Sequence, residues 1–319
     1  MLKYVLKRLG LVVFSFFVIL LICFVLIKLL PNPVPEEFGK DISIILRRRE
    51  LLGYNKPIIV QFFIFLERAF IYQDWGLSEK MYWGQEVWTK FVEKLPNTII
   101  VNVYAMLISV PLGLGLGIFA ALKKNKWQDH LISTIVMLAI SVPSYIYAFL
   151  VQGILCFDLK IFPPQMAEAT KFADYFQWSM FLSLMPPVIS LSFGTIAGLT
   201  RGTRAELTEV LTSEFMLLAR TKGLTRAQAT TRHALRNSMV PIFPSILSEF
   251  IGIIGGSLII EQIFGVPGVG ELYINSINSL DYNFFLLLTC FYTAIGLLSG
   301  IVIDLSYGFI DPRIRMGVK

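Results

Sequence analysis

The sequence predicts an all-α protein that crosses a bilayer six times. Three observations predict it: 55% of its 319 residues are hydrophobic and only 16% charged, six apolar segments are each long enough to span, and Lys and Arg cluster in alternate connections. A mean hydropathy of +0.67 lies outside the range of soluble globular domains, so hydrocarbon must be considered as the solvent. The formal charge of +6 then marks topology rather than a nucleic-acid surface.

About 30 Å of hydrocarbon is crossed at about 1.5 Å per residue, so a span needs roughly 20 apolar residues. Leu9 to Ile27 is free of charge and forms the first. Its basic start, "MLKYVLKR", suits a secretory signal, but the run is longer than a signal's apolar core and closes with "KLLPNPVP", so an uncleaved helix is expected. Leu95 to Leu122 spans from about Thr98. Leu131 to Phe157 and Tyr175 to Thr200 come next, each with prolines placed to kink it. Pro241 to about Ile263 is interrupted by Glu249 and Glu261, and Tyr282 to Ile303 is uninterrupted.

The short connections hold sixteen basic residues on one side, among them Lys3, Lys7, Lys123, Arg204 and Arg313, against Lys160 and Lys171 on the other. The positive-inside rule places both termini and the polar region 201–240 in the cytoplasm. The expected organisation is a first span over 1–30, an extracytoplasmic segment with interfacial helices over 31–97, a core of five spans over 98–310, and a cytoplasmic tail over 311–319. In the outer segment, "NKPIIVQFFIFLERAF" predicts a helix from Pro57 capped by Asn55, lying on the membrane or over the mouth of the bundle. Cys23, Cys156 and Cys290 lie singly in or beside apolar runs, without metal-ligand spacing, and read as packing residues. Glycine pairs Gly113/Gly117, Gly252/Gly256 and Gly296/Gly300 have the spacing that lets helices approach closely.

One cytoplasmic stretch stands apart: "FMLLARTKGLTRAQATTRHALRNSMVP", residues 215 to 241. Gly223 is suited to ending one helix, and Thr225 with Gln228 forms the T-x-x-Q box that starts another, which should run to about Asn237. At about 100° per residue, Arg226, Thr230, His233 and Asn237 share one face and Ala227, Thr231 and Ala234 another. Cations on one side and small residues on the other suit docking against a neighbour.

"ARTKGLTRAQATTRHALRNSMVP" resembles the cytoplasmic signature of binding-protein-dependent ABC import permeases, in the form carried by the dipeptide and oligopeptide branch. "LGYNKPIIVQF", "DWGLS", "LPNTI", "GIFAALKKNKWQD", "ISVPSY", "GSLIIEQIFGVPGVGEL" and "DLSYGFIDPRIR" continue the likeness in order along nearly the whole chain, nearest to the B-type subunit of oligopeptide importers. The resemblance implies a type I importer permease fold in a bacterial cytoplasmic membrane. It implies a homologous second permease, two ABC ATPase subunits and an extracytoplasmic peptide-binding protein as partners. Ala219 and Gly223 match the signature's alanine and glycine, and Leu224 opens the stretch that matches its docking helix. Thr225, Arg226, Arg232, His233 and Arg236 fall in the coupling helix, which meets the ATPase, and in the turns immediately after it. Leu217 stands where the wider pattern has a glutamate and Arg236 where it has a proline. The peptide branch lacks both. Nickel and glutathione importers share the signature, so cargo stays open between these and peptide.

The chain has no G-x-x-x-x-G-K-[ST] loop for nucleotide phosphates, so ATP and Mg belong to the partner ATPases and no cofactor or metal is expected here. An intramembrane hydrolase is disfavoured because both histidines, His130 and His233, lie in cytoplasmic connections away from Ser257 and Ser299. A secondary transporter or channel is the third class, disfavoured by the lack of an internal repeat. Within the bilayer Glu249 and Glu261 carry several kcal/mol of burial cost unless they face protein or water. On one continuous helix they would lie about 18 Å apart and about 120° around the axis. Either they, with Gln262, meet cargo, or they make structural hydrogen bonds; the residues alone leave both readings open.

Overall fold

The computed structural model describes residues 2–30, 42–51, 53–167, 169, 171–253 and 255–310. The expected tail, 311–319, and the start of the outer segment lie outside them. Among the described residues every regular element is a helix, with an isolated antiparallel bridge between Leu77 and Glu86 and no strand. It divides into two compact units: Met1–Pro96 with Gly268–Leu298, and Asn97–Pro267 with Ser299–Lys319.

The first unit contains α1 (Leu2–Leu29), α2 (Ile42–Leu51), α3 (Ile58–Leu66) and the opening turns of α4 (Val87–Leu122). α12 (Val269–Asn278) and the first part of α13 (Tyr282–Ile310) complete it. Leu20, Phe24 and Ile27 of α1 pack with Phe62 of α3 and Tyr282, Leu286 and Cys290 of α13, so the outer helix is docked through one edge while Phe63 points outward. Asn55 does not cap it. Pro57 occupies the N-cap with no side-chain bond, and the Gln61 amide reaches back instead to the Tyr54 and Lys56 carbonyls at 3.2 and 2.8 Å. The segment after α3 is clasped to the start of α13. Asp281 accepts from Ser78 Oγ at 2.5 Å and from the Lys80 and Met81 amides at 3.1 Å each. Asn283 donates to the Leu77 carbonyl at 2.7 Å.

The second unit is built on α7 (Trp178–Leu211), with α4 after Pro96, α5 (Trp127–Ser141), α6 (Ser144–Val151), α8 (Glu214–Thr221), α9 (Arg226–Ala229), α10 (Leu235–Gly252) and α11 (Leu258–Ile263). Gly113 and Gly117 of α4 lie against α7. A Cβ at Gly113 would fall 2.7 Å from Leu199 Cβ, and one at Gly117 would fall 2.6 Å from Thr203 Cβ and 2.8 Å from the Thr200 carbonyl. Two hydroxyls of α7 bond to backbone carbonyls of α4 across this seam: Thr200 to Gly113 at 3.2 Å and Ser192 to Ala105 at 3.3 Å. The packing role expected for Gly113 and Gly117 is therefore seen. Nothing within 4 Å faces Gly252, Gly296 or Gly300, and Gly256 serves a turn.

Four helices are long and apolar enough to cross a membrane unbroken: Leu6–Leu29, Val87–Leu122, Trp178–Leu211 and Tyr282–Ser306. The predicted third span is a bent pair, Trp127–Ser141 and Ser144–Asp158, turned through 100°. Pro143 causes the break: the residue before a proline is driven out of the helical region, and Val142 adopts φ −94°, ψ 126°. The predicted fifth span is also divided, α10 ending at Gly252 and α11 beginning only at Leu258. Six continuous spans are thus not what the backbone forms; the described residues form four, or five if the bent pair counts as one. Asp129, fully buried at the foot of α5, ties that helix to α7 through Arg204, at 2.5 Å to Nε and 2.9 Å to Nη2. The Asn125 amide also bonds it at 2.9 Å.

Overpacking a close seam costs about 1–3 kcal/mol. Gly117→Ala should therefore lower the thermal unfolding midpoint of the detergent-solubilised protein by several degrees. Gly115→Ala, where a Cβ meets open space, should leave it near the parent value. Equal midpoints for the two variants would remove the seam as a stabilising contact.

Candidate functional site

The polar region folds as helix, break and helix, as its residues predict. α8 ends at Thr221, and Gly223 adopts φ +90°, a left-handed conformation that glycine enters without a Cβ penalty. Its N–H bonds to the Arg220 carbonyl at 3.0 Å, and the Leu224 N–H reaches Ala219 at 3.4 Å. Both halves of the capping box form: the Gln228 N–H donates to Thr225 Oγ1 at 3.3 Å, and the Thr225 N–H to Gln228 Oε1 at 3.0 Å.

Two expectations about this second helix are corrected. It does not stop at Asn237, because no left-handed residue intervenes; Leu235 remains at φ −60°, ψ −42°, and Pro241 and Pro244 are taken into α10, which continues to Gly252. The faces also differ. Thr230–Ala234 forms a π turn, which advances five residues per hydrogen-bonded turn rather than four. Ala229 and Ala234, which regular α geometry would set about 140° apart, are consequently buried together, while Ala227 and Thr231 are exposed. Thr230, assigned to the cationic face, is buried with them.

The buried side, Ala229 and Ala234, rests on Ala121 at the end of α4, Leu207 of α7, and Met216 and Ala219 of α8, with Leu224 packed at the edge. The outward side presents Thr225, Arg226, Arg232, His233 and Arg236, all exposed. Among the described residues no ion pair engages Arg226, Arg232 or Arg236. A cleft of about 360 Å³ opens beside them, bordered by Glu214, Arg220 and Arg226. A cationic rim thus stands beside a small cleft, held on the ends of two long helices. It offers no nucleophile paired with a base.

The acidic candidates separate. Glu261 is completely buried in α11. A Cβ at Gly256, itself at φ +65°, would collide with its carboxylate and fall 2.6 Å from Thr98 Cγ2. Its carboxylate is thus packed beneath the turn at Gly256. Gln262, one residue on, is exposed. Glu249 borders a groove of about 490 Å³ between α7 and α10 and accepts from Thr195 Oγ1 at 3.3 Å. The expected axial and angular relation between Glu249 and Glu261 does not arise, because the chain breaks between them. Sequence reasoning missed the residues that complete the groove, Thr203 and Glu206, although the four-residue spacing of Gly194, Gly198 and Gly202 signalled a bare helix face. It also missed the Asp129–Arg204 pair, whose partners are 75 residues apart.

Several helices long and apolar enough to cross a membrane, with an exposed cationic rim braced on two of them and a polar groove alongside, define a multi-pass membrane protein. Residues 113–316 match the family described as "Binding-protein-dependent transport system inner membrane component", and the chain belongs to that family. It is 32% identical over 99% of its length to the whole of the dipeptide transport system permease protein DppB of Lactococcus lactis subsp. cremoris. It is 32% identical over its full length to the whole of DppB of Bacillus subtilis. The oligopeptide transport system permease protein OppB of Haemophilus influenzae is 31% identical over 99% of this chain and all of its own. Among solved structures, an amino acid ABC transporter aligns with 68% of this chain and 92% of its own at 18% identity and a TM-score of 0.48.

Removing an N-cap hydroxyl costs about 1 kcal/mol, a factor of about five in a local opening equilibrium. Thr225→Ala should accelerate hydrogen exchange at the Gln228 amide by about that factor, and Thr225→Ser should restore it. An unaltered exchange rate in the alanine variant would show that the cap does not hold the rim.

Proposed function

We propose that this chain is the membrane-embedded permease subunit of an ATP-driven importer carrying peptides, oligopeptides in particular, across the bacterial cytoplasmic membrane. The observation that carries the reading is the full-length likeness to permease subunits named for dipeptide and oligopeptide transport. Its partners in this reading are a homologous second permease, two ABC ATPase subunits that bind ATP and Mg, and an extracytoplasmic peptide-binding protein. The chain itself catalyses nothing and takes no cofactor. Both termini lie in the cytoplasm, and six crossings are completed by counting the broken α10–α11 segment as one.

The rim after Gly223 is the contact for the ATPase. Arg226, Arg232, His233 and Arg236 meet acidic groups of that subunit, and Ala219, Leu224 and Ala229 transmit the push to the ends of α4 and α7. Movement of the ATPases on binding nucleotide then switches the path between its inward-facing and outward-facing states. Glu249 faces that path. Glu261 and Gln262 lie at its outer end, Glu261 as a brace.

Reconstitution of the assembled complex in vesicles tests this reading. Uptake of a labelled tripeptide should require both ATP and the binding protein. Arg226→Glu should leave assembly intact, leave basal hydrolysis in place and reduce uptake about tenfold or more, since a reversed charge at a contact costs over 1.4 kcal/mol. Wild-type uptake of nickel or glutathione in place of peptide would overturn the cargo. Normal uptake by the Arg226→Glu complex would overturn the contact.

A further inference from the structure

About 140° around α7 from its seam with α4, Gly194, Gly198 and Gly202 form a strip without side chains, and a Cβ at any of them would meet nothing within 4 Å. α10 faces this strip across the groove of about 490 Å³, and no Lys, Arg or His lines it. Two carboxylates do. Glu249 is held in place by Thr195, and Glu206 stands eleven residues further along α7, about 16 Å away along the axis. The hydroxyls of Thr195, Ser245 and Thr203 border the groove too. Thr203 lines the groove and is fully buried, its Cγ2 close to Gly117, and its Oγ1 has no hydrogen-bond partner among the described residues.

Each feature narrows the occupant. Two carboxylates about 16 Å apart cannot ligate one ion, whose oxygens must lie within about 2.6 Å of it, so the groove is not a metal site. An apolar helix from a partner subunit would desolvate Glu206 with no polar partner and leave Glu249 with Thr195 alone, a cost of several kcal/mol. An extended chain with its own N–H donors and a terminal ammonium satisfies both carboxylates. The groove length from Leu191 to Glu206, about 22 Å, accepts about six residues at about 3.3 Å each. We propose that the α7–α10 groove binds the cargo peptide in extended form, its protonated amino terminus against Glu249 or Glu206 and its backbone along the glycine strip. The proposal rests on the peptide-import reading and names the cargo group that the permease itself recognises.

The test uses the full complex in vesicles, with trialanine and N-acetyl-trialanine as probes. Glu206→Gln combined with Glu249→Gln should lower trialanine uptake about tenfold, the loss of one charge-assisted bond. Glu209→Gln, on the exposed side of α7, should not. In a background with Cys23, Cys156 and Cys290 replaced by alanine, Gly198→Cys should be protected from a maleimide by trialanine and less so by N-acetyl-trialanine. Equal uptake by the double variant and the parent, or equal protection by the two peptides, would overturn the proposal. Loss of the second permease from the purified double variant would also overturn it, identifying the groove as a subunit interface. A wild-type complex that imports no peptide would instead overturn the underlying reading, so the two failures are distinguishable.

Discussion

The second unit depends on how closely α4 and α7 approach. In a bilayer the hydrophobic effect does not drive helices together, so association comes from packing and hydrogen bonds. Gly113 and Gly117 bring the α4 backbone onto Leu199, Thr200 and Thr203, and the Thr200 and Ser192 hydroxyls bond across to α4 carbonyls. With that seam in place α7 becomes a spine. α5 is tied to it through Asp129 and Arg204, α10 lies along the groove beside it, and its last turns carry Leu207, on which Ala229 and Ala234 rest.

That arrangement joins chemistry at the surface to geometry in the membrane. The cationic rim is not a free loop, because its buried alanines sit directly on the ends of α4 and α7. The π turn makes this possible: five residues in one turn place Ala229 and Ala234 on the same side and leave Arg226, Arg232 and Arg236 outside. The rim and the spine therefore share one packed core.

Much of this was readable from residue types. The break at Gly223 and the Thr225–Gln228 box depend on one left-handed residue and two side chains three apart, both local signals. The kink at Pro143 was equally local, though not its size, 100°. What escaped was long-range or register-dependent. Asp129 and Arg204 are distant in the chain, and a π turn leaves no mark in helical periodicity. The reading of Pro241 to Ile263 as one continuous span failed because hydropathy counts apolar residues without registering that "IGIIGGS" gives its backbone three glycines. Glu261 stayed open between cargo contact and structural bond because hydropathy registers the cost of a carboxylate in an apolar run but not its burial beneath Gly256.

Gly256 and Glu261 also constrain how this chain can vary. The backbone at 256 is left-handed, and the space where a side chain would begin is filled by the carboxylate five residues later. Neither position is then free to drift alone: a methyl at 256 would evict the acid, and a shorter residue at 261 would leave a hole beneath the turn. Variation here should arrive in pairs, as coordinated exchange at 256 and 261 together.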